Sequence, residues 1–195
     1  MVTNALLVGV GGQGIITASQ VIAEACLLSG WEVKKSEIHG MAQRGGSVES
    51  HVRYTPEGTV ASPTIPEGEV DVLIGFELLE TLRALPQVRP TGVVVVDPRR
   101  IVPLTVTMGH AVYPEDAVER LQAEDRRARI IAATQEALKL GEVRAANIIL
   151  VGAASGDLGL SREALEEALR RTVKPQVLDT NLRAFARGVE LAELG

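Results

Sequence analysis

The stretch Ala5-Leu6-Leu7-Val8-Gly9-Val10-Gly11-Gly12-Gln13-Gly14 decides the fold. An apolar run without alternation reads as a strand covered on both faces. It ends in glycines, and from residue 12 to residue 28 the apolar side chains Ile15, Ile16, Val21, Ile22, Ala25 and Leu28 recur at three- and four-residue steps. That spacing predicts a helix, closed by Ser29-Gly30. The join from Gly9 to Gly14 fits G-x-G-x-x-G. In such a turn the first glycine bends tightly, the second lets a ligand approach the backbone, and the third lets helix and strand pack closely. Free N–H groups at the helix start can hold an anion.

Working outward, residues 31–36 read as a second strand and residues 38–46, with three glycines and no periodicity, as a loop. Residues 47–54 alternate. Val48, Ser50, Val52 and Tyr54 share one face, and Ser47, Glu49, His51 and Arg53 the other, as expected of a half-exposed antiparallel or edge strand. Pro56-Glu57-Gly58 is a turn signal, so residues 59–62 are expected to pair back. Residues 70–76 form a buried strand, residues 77–85 a helix stopped by Pro86, and residues 92–97 a strand with four consecutive valines. A weaker strand is expected at residues 110–113. Residues 117–140, 147–155, 162–173 and 180–194 read as helices, with Ser161 and Asp179 as N-caps. Strands alternating with helices give an α/β class. The expected fold is a Rossmann-like, doubly wound, mostly parallel sheet with a helical C-terminal portion, as a single domain over residues 1–195.

Composition narrows the function. Of the 195 residues 46% are hydrophobic and 3% aromatic, so Val, Leu, Ile and Ala build the core. The net charge of −5 and the lack of a basic stretch argue against nucleic-acid binding. No apolar run approaches the roughly 18 residues of a membrane span, and the start is too short and uncharged for a secretion signal, so a cytoplasmic location is expected. The single cysteine, Cys26, cannot close an intrachain disulfide or supply an iron–sulfur cluster, and reads as a small buried apolar residue. His39, His51 and His110 do not stand at metal-ligand spacing, and no nucleophile–base pair is evident. No metal ligand and no catalytic residue is therefore expected in this chain.

The glycine loop alone admits two readings. An NAD(P)-binding oxidoreductase would need an acid at the end of the second strand; Glu32 would start that strand, and Glu37 lies a residue or two late. A purely structural turn needs no ligand. A second motif adds a third reading. His39-Gly40-Met41-Ala42-Gln43-Arg44-Gly45-Gly46-Ser47 follows some 30 residues on, and the later segments Asn147-Ile148-Ile149-Leu150-Val151-Gly152-Ala153 and Asn181-Leu182-Arg183-Ala184-Phe185-Ala186-Arg187-Gly188 complete a pattern. Together these resemble the gamma-type domain of pyruvate, ketoisovalerate and indolepyruvate ferredoxin oxidoreductases, over residues 5–188. In size the chain is most similar to the free-standing small subunit of the indolepyruvate type.

The resemblance implies oxidative decarboxylation of a 2-oxoacid to an acyl-CoA with reduction of ferredoxin. That chemistry needs thiamine diphosphate and iron–sulfur clusters. One cysteine leaves no clusters here. The nearest match to a thiamine-diphosphate Gly-Asp-Gly motif, Gly156-Asp157-Leu158 with Asn181 downstream, has leucine in third place and reads as coincidence. The resemblance thus implies a subunit inactive alone, whose cofactors sit on a larger alpha subunit, with coenzyme A and ferredoxin as partners of the complex. A purely structural interface subunit is the alternative, and a homodimer is expected to be open to the isolated chain. The expected ligand- or partner-contacting residues are Gly9, Gly11, Gly12, Gln13, Gly14, His39, Arg44, Gly45, Gly46, Ser47 and Asn181. Arg44 suits a carboxylate or phosphate, or a salt bridge to an acid such as Glu37. His39 suits an oxyanion or a loop cap. Gln13 suits a ligand or a bond across its own loop. The strand face of Ser47, Glu49, His51 and Arg53 is either solvated or an interface. Asp97 ends the valine strand, where ligands bind in such sheets.

Overall fold

The computed structural model describes residues 1–40, 46–123 and 127–194. Six strands form one sheet in the order β2-β3-β1-β4-β5-β6: β1 Thr3–Val10, β2 Glu32–His39, β3 Ser47–Thr55, β4 Val70–Gly75, β5 Val88–Val96 and β6 Arg127–Ile130. Strand β1 pairs in parallel with β4, β4 with β5, and β5 with β6, while β3 runs antiparallel to both β1 and β2. The sheet is therefore mixed, with β3 alone running against the rest.

Alternation along the strands splits the core in two. Ala5, Leu7, Val72, Ile74, Val93 and Val95 face α1 (Ile15–Leu28), α5 (Ala133–Lys139), α6 (Ala146–Ala154), α7 (Arg162–Thr172) and α8 (Pro175–Leu194). Leu6, Val8, Leu73, Val94 and Val96 face α2 (Leu78–Ala84) and α4 (Ala117–Ala123). A short α3 (Leu104–Thr107) lies between β5 and α4. The first face closes tightly because two glycines let helices touch. A Cβ on Gly188 would stand 2.0 Å from the Ile149 carbonyl oxygen, and one on Gly152 would stand 2.2 Å from that of Phe185.

Several expectations are corrected. Residues 117–140 are not one helix; the segment gives α4, β6 and α5, because the sheet still has an open edge beside β5 that Ala128 and Ile130 can cover. Arg127 accordingly lies in a strand rather than on a helix face. Residues 59–62 do not pair back as a strand. Their segment crosses the β3 face instead, with Val60 N–H bonded to the Glu32 carboxylate and the Ser62 and Thr64 carbonyls accepting from Arg53. Residues 110–113 are not a strand either; Tyr113 donates its hydroxyl to Glu77, 2.8 Å away, which ties the segment to α2. Helix α8 begins at Pro175, whose missing N–H suits a first turn. Asp179 is therefore inside the helix, pairing with Arg183, and is not its cap. Ser161 does cap α7, accepting from Ala164 N–H at 3.1 Å. Among the described residues no helix is long and apolar enough to cross a membrane.

Candidate ligand-contacting site

The glycine loop leaves the C-terminal end of β1, at the edge where β4 and β5 also end. Gly12 (φ 101°) and Gly14 (φ 81°) adopt left-handed backbone that side chains resist. Gln13 bridges the loop. Its Oε1 accepts from Val10 N–H at 2.7 Å, and its Nε2 donates to the Phe76 carbonyl at 2.6 Å. Gln13 is thus a bracket between β1 and the end of β4, with both ends of its amide engaged. Gly9 is needed beneath it, since a Cβ there would meet Gln13 Oε1 at 2.7 Å and Phe76 Cβ at 2.8 Å.

The two glycine motifs are joined in space. Gly11 N–H donates to the Gly46 carbonyl at 2.9 Å, Val10 faces Ser47 across the β1/β3 ladder, and Gly40 N–H donates to the Ser47 carbonyl at 2.9 Å. His39 is the last residue of β2, not part of a loop, because pairing with β3 continues to Val48. It is exposed, 3.6 Å from the Glu37 carboxylate. Arg44 and Gly45 lie outside the described residues.

The loop forms a wall between cavities. On one side, a cavity of about 700 Å³ is lined by Gly11, Gly12, Gly14, His39, Gly40 and Val48, among others. On the other, one of about 400 Å³ is lined by Gly12, Gly14, Arg144, Asn147, Lys174 and Asn181, among others. The starts of α1 and α8 converge on this second cavity, and α1 has no side-chain cap. Uncapped first-turn N–H groups of α1 with Lys174 and Arg144 beside them suit an anion. Arg144 also forks onto Glu142, at 3.0 and 2.9 Å, a pairing that holds that carboxyl down at about 2.

Asn147 is the residue sequence reading failed to assign. It is 6% exposed, its Nδ2 donates to the Gly14 carbonyl at 3.1 Å, and its buried Oδ1 has no partner among the described residues. An orphaned buried acceptor costs about 1–3 kcal/mol, which a ligand donor can recover. The available signal was a lone amide at the start of an otherwise apolar helix. Asn181, also buried, donates to the Val177 carbonyl at 2.7 Å.

Other polar candidates are occupied. Asp97 accepts from Thr134 N–H at 2.9 Å, from the Thr134 hydroxyl and from Arg99 N–H; burial raises its carboxyl above the usual range. It lines a crevice of about 180 Å³ with Gln13 and Asn147. Glu37 is bound by Lys35 at 2.8 Å, which lowers its carboxyl, and stands two strands from the glycine loop. Among the described residues neither Glu32 nor Glu37 therefore reaches the place a dinucleotide ribose would need. Asp157 pairs with Arg129, so Gly156-Asp157-Leu158 and Asn181 do not form a metal–diphosphate clamp. Burial pushes the Cys26 thiol up to about 12, as expected of an inert core residue. Among the described residues no cluster of three or more His, Cys, Asp or Glu is placed to hold a metal. The polar β3 face is not simply solvated. His51 is buried beside Leu6, and its Nδ1 accepts from Ile65 N–H at 3.3 Å.

The model of the pyruvate ferredoxin/flavodoxin oxidoreductase family matches residues 4–191. The chain belongs to that family. It is 41% identical to the indolepyruvate oxidoreductase subunit IorB of Archaeoglobus fulgidus, over 98% of this chain and 96% of that one. It is 27% identical to the pyruvate/ketoisovalerate oxidoreductases common subunit gamma of Pyrococcus furiosus, over 95% of each. Among solved structures of the family, the fold matches a keto/oxoacid ferredoxin oxidoreductase gamma subunit from Geobacter sulfurreducens with TM-score 0.75, at 24% identity over 99% of each chain. It also matches 2-oxoglutarate:ferredoxin oxidoreductase of Magnetococcus marinus, solved with 2-oxoglutarate, coenzyme A and succinyl-CoA, with TM-score 0.77, 25% identity, all of this chain and 31% of that one. The likeness thus spans nearly all of the first solved chain and about a third of the second.

Proposed function

We propose that this chain is the small subunit of a 2-oxoacid:ferredoxin oxidoreductase of the indolepyruvate type, forming one domain over its whole length. The observation that carries the reading is the near end-to-end likeness to free-standing IorB subunits, at 41% identity and 96% coverage of the relative. The enzyme would convert an aryl-2-oxoacid and coenzyme A to acyl-CoA and carbon dioxide, passing electrons to ferredoxin. Thiamine diphosphate and iron–sulfur clusters on a larger subunit would supply carbanion stabilisation and electron transfer.

The part of this chain is to hold, not to react. Its buried acids Asp97 and Glu77 are committed to its own backbone and side chains. What remains open is the pair of cavities on either side of the glycine loop. We assign the cavity of Gly12, Gly14, Asn147 and Asn181 as a wall of the coenzyme A channel, with helix N-termini, Arg144 and Lys174 facing anionic groups. Arg44, two residues before the Gly46 whose carbonyl accepts from Gly11 N–H, is assigned to a carboxylate or phosphate of substrate or coenzyme.

Docking is assigned to residues 98–113. Leu104 and Val112 there are 71% and 89% exposed, with Val102 and Met108 beside them. Glu77, 1% exposed, anchors this arm by accepting from Ile101 N–H and the Tyr113 hydroxyl. Co-expression with the larger subunit tests the reading. The pair should reduce ferredoxin with indolepyruvate only when coenzyme A is present, and this chain alone should not. Full activity of the larger subunit without this chain would defeat the proposal. Arg44→Ala in the assembled pair should raise KM for coenzyme A or the 2-oxoacid; unchanged KM and kcat would remove it from the site.

A further inference from the structure

Strand β2 forms one edge of the sheet, and among the described residues it pairs only with β3. It is eight residues long, lacks proline and keeps an unbroken register with β3. Such an edge templates pairing with another strand unless something blunts it. The opposite edge, β6, has four residues among those described.

The direction of the free backbone groups follows from one bond. Gly40 N–H donates to the Ser47 carbonyl, and this pair continues the β2/β3 register. In an antiparallel ladder each residue turns its N–H and C=O to the same side, and neighbours alternate. Ile38, Ser36 and Lys34 therefore bond to β3, while His39, Glu37, Lys35 and Val33 turn theirs outward.

We propose that β2 pairs antiparallel with β2 of a second copy about a two-fold axis at Ser36, joining two six-stranded sheets into one. A two-fold axis normal to the sheet keeps each side chain on its own face, so facing residues must share parity. With the axis at Ser36, Lys35 faces Glu37 of the second copy, Val33 faces His39 and Lys34 faces Ile38. The outward residues then bond in pairs, giving roughly eight backbone hydrogen bonds. Moving the axis to residue 35 sets Lys35 against Lys35; moving it to residue 37 sets Glu37 against Glu37. Charge complementarity selects the Ser36 register. Lys35 and Glu37, already 2.8 Å apart within one chain, become a four-membered alternating network across the axis. Ile38, 49% exposed in the single chain, gains the aliphatic stem of Lys34. His39 and Gly40 line the larger cavity, so the second copy stands at its rim.

Charge swaps on the full chain, read by sedimentation, test the pairing. The wild-type chain should be a dimer. Lys35→Glu and Glu37→Lys should each weaken it about 100-fold, since each places like charges in contact at two symmetric positions. An equimolar mixture of the two variants should re-form a heterodimer, and the double variant K35E/E37K should restore the homodimer. Unchanged circular dichroism keeps misfolding out of the reading. Glu37→Pro, which removes one outward N–H, should also give monomers. A monomeric wild-type chain at its highest soluble concentration, a mixture that stays monomeric, or a K35E chain that dimerises as tightly as wild type would each overturn the proposal.

Discussion

The two faces of the sheet are finished to different degrees. Under α1 and α5–α8, apolar residues from five helices and the sheet form one continuous core, and α6 crosses α8 so closely that glycines are required at the contact. Under α2 and α4 the core is smaller. Its borders are made of polar anchors: Glu77 holding the arm, and His51 and Arg53 holding the segment after β3. Beyond those anchors Val102, Leu104, Met108 and Val112 stand exposed. Exposed apolar groupings of this kind mark surfaces that another protein covers. The first face is covered by five helices of the chain, whereas the second leaves the arm exposed, the surface proposed above to meet the larger subunit.

Three experiments separate the faces. The largest effect is expected at the helix crossing. Gly188→Ala would place a methyl 2.0 Å from the Ile149 carbonyl oxygen, backbone that cannot swing aside. Overpacking there should cost about 3 kcal/mol, read as a lowered urea midpoint; an unchanged midpoint would mean that the helices separate freely.

A smaller effect is expected at the anchor of the second face. Burial lowers the pKa of His51, so the folded chain resists protonating a ring that the unfolded chain protonates at about pH 6.5. Stability is then fully present above that pH and is lost as the pH falls through the window beneath it. Glu49 lies 3.8 Å from His51 and moderates the loss, while Arg53 adds to it. The Tm of His51→Gln should fall less than that of the wild type between pH 7 and 5. Parallel curves would assign the pH dependence to other groups.

The smallest effect on the isolated chain is expected from the arm. Leu104→Ser with Met108→Ser removes exposed surface and should shift stability by less than about 0.5 kcal/mol. The same double variant should lose much of its binding to the larger subunit in a pull-down. Unimpaired binding would place the docking surface elsewhere, and a large loss of stability would move the arm into the core.

Much of the first face was legible in the sequence. The apolar run ending in Gly9, the helical spacing from Ile15 to Leu28 and the four valines of β5 are local signals of period and propensity, and each element formed. Strand β6 was not legible, because Arg127-Ala128-Arg129-Ile130 is too short and too charged to read as a strand until β5 offers it an edge. The extension of β2 to His39 was missed for the same reason: Ile38 and His39 are held by pairing with Glu49 and Val48 of β3. The candidate site divides along similar lines. Its glycines announced themselves as a motif, and family resemblance tied residues 9–14 to residues 39–47. That Gln13 spends both ends of its amide within the fold was not legible, since its partner Phe76 lies 63 residues away. Nor was Asn147, which meets Gly14 only because α6 packs beside α1.

The sequence by itself determined the α/β class, the strand–glycine loop–helix unit, the lack of cluster-forming cysteines and the family pattern. Each rests on residue type, on local spacing, or on the order of such local signals along the chain. Tertiary structure alone decided that β3 lies between β2 and β1, that the glycine loop divides two cavities, and that the buried Asn147 oxygen finds no partner among the described residues. Those outcomes depend on which distant backbone groups meet. Strand order, cavities and orphaned acceptors follow from long-range packing and from the satisfaction of buried polar groups, and local periodicity carries neither.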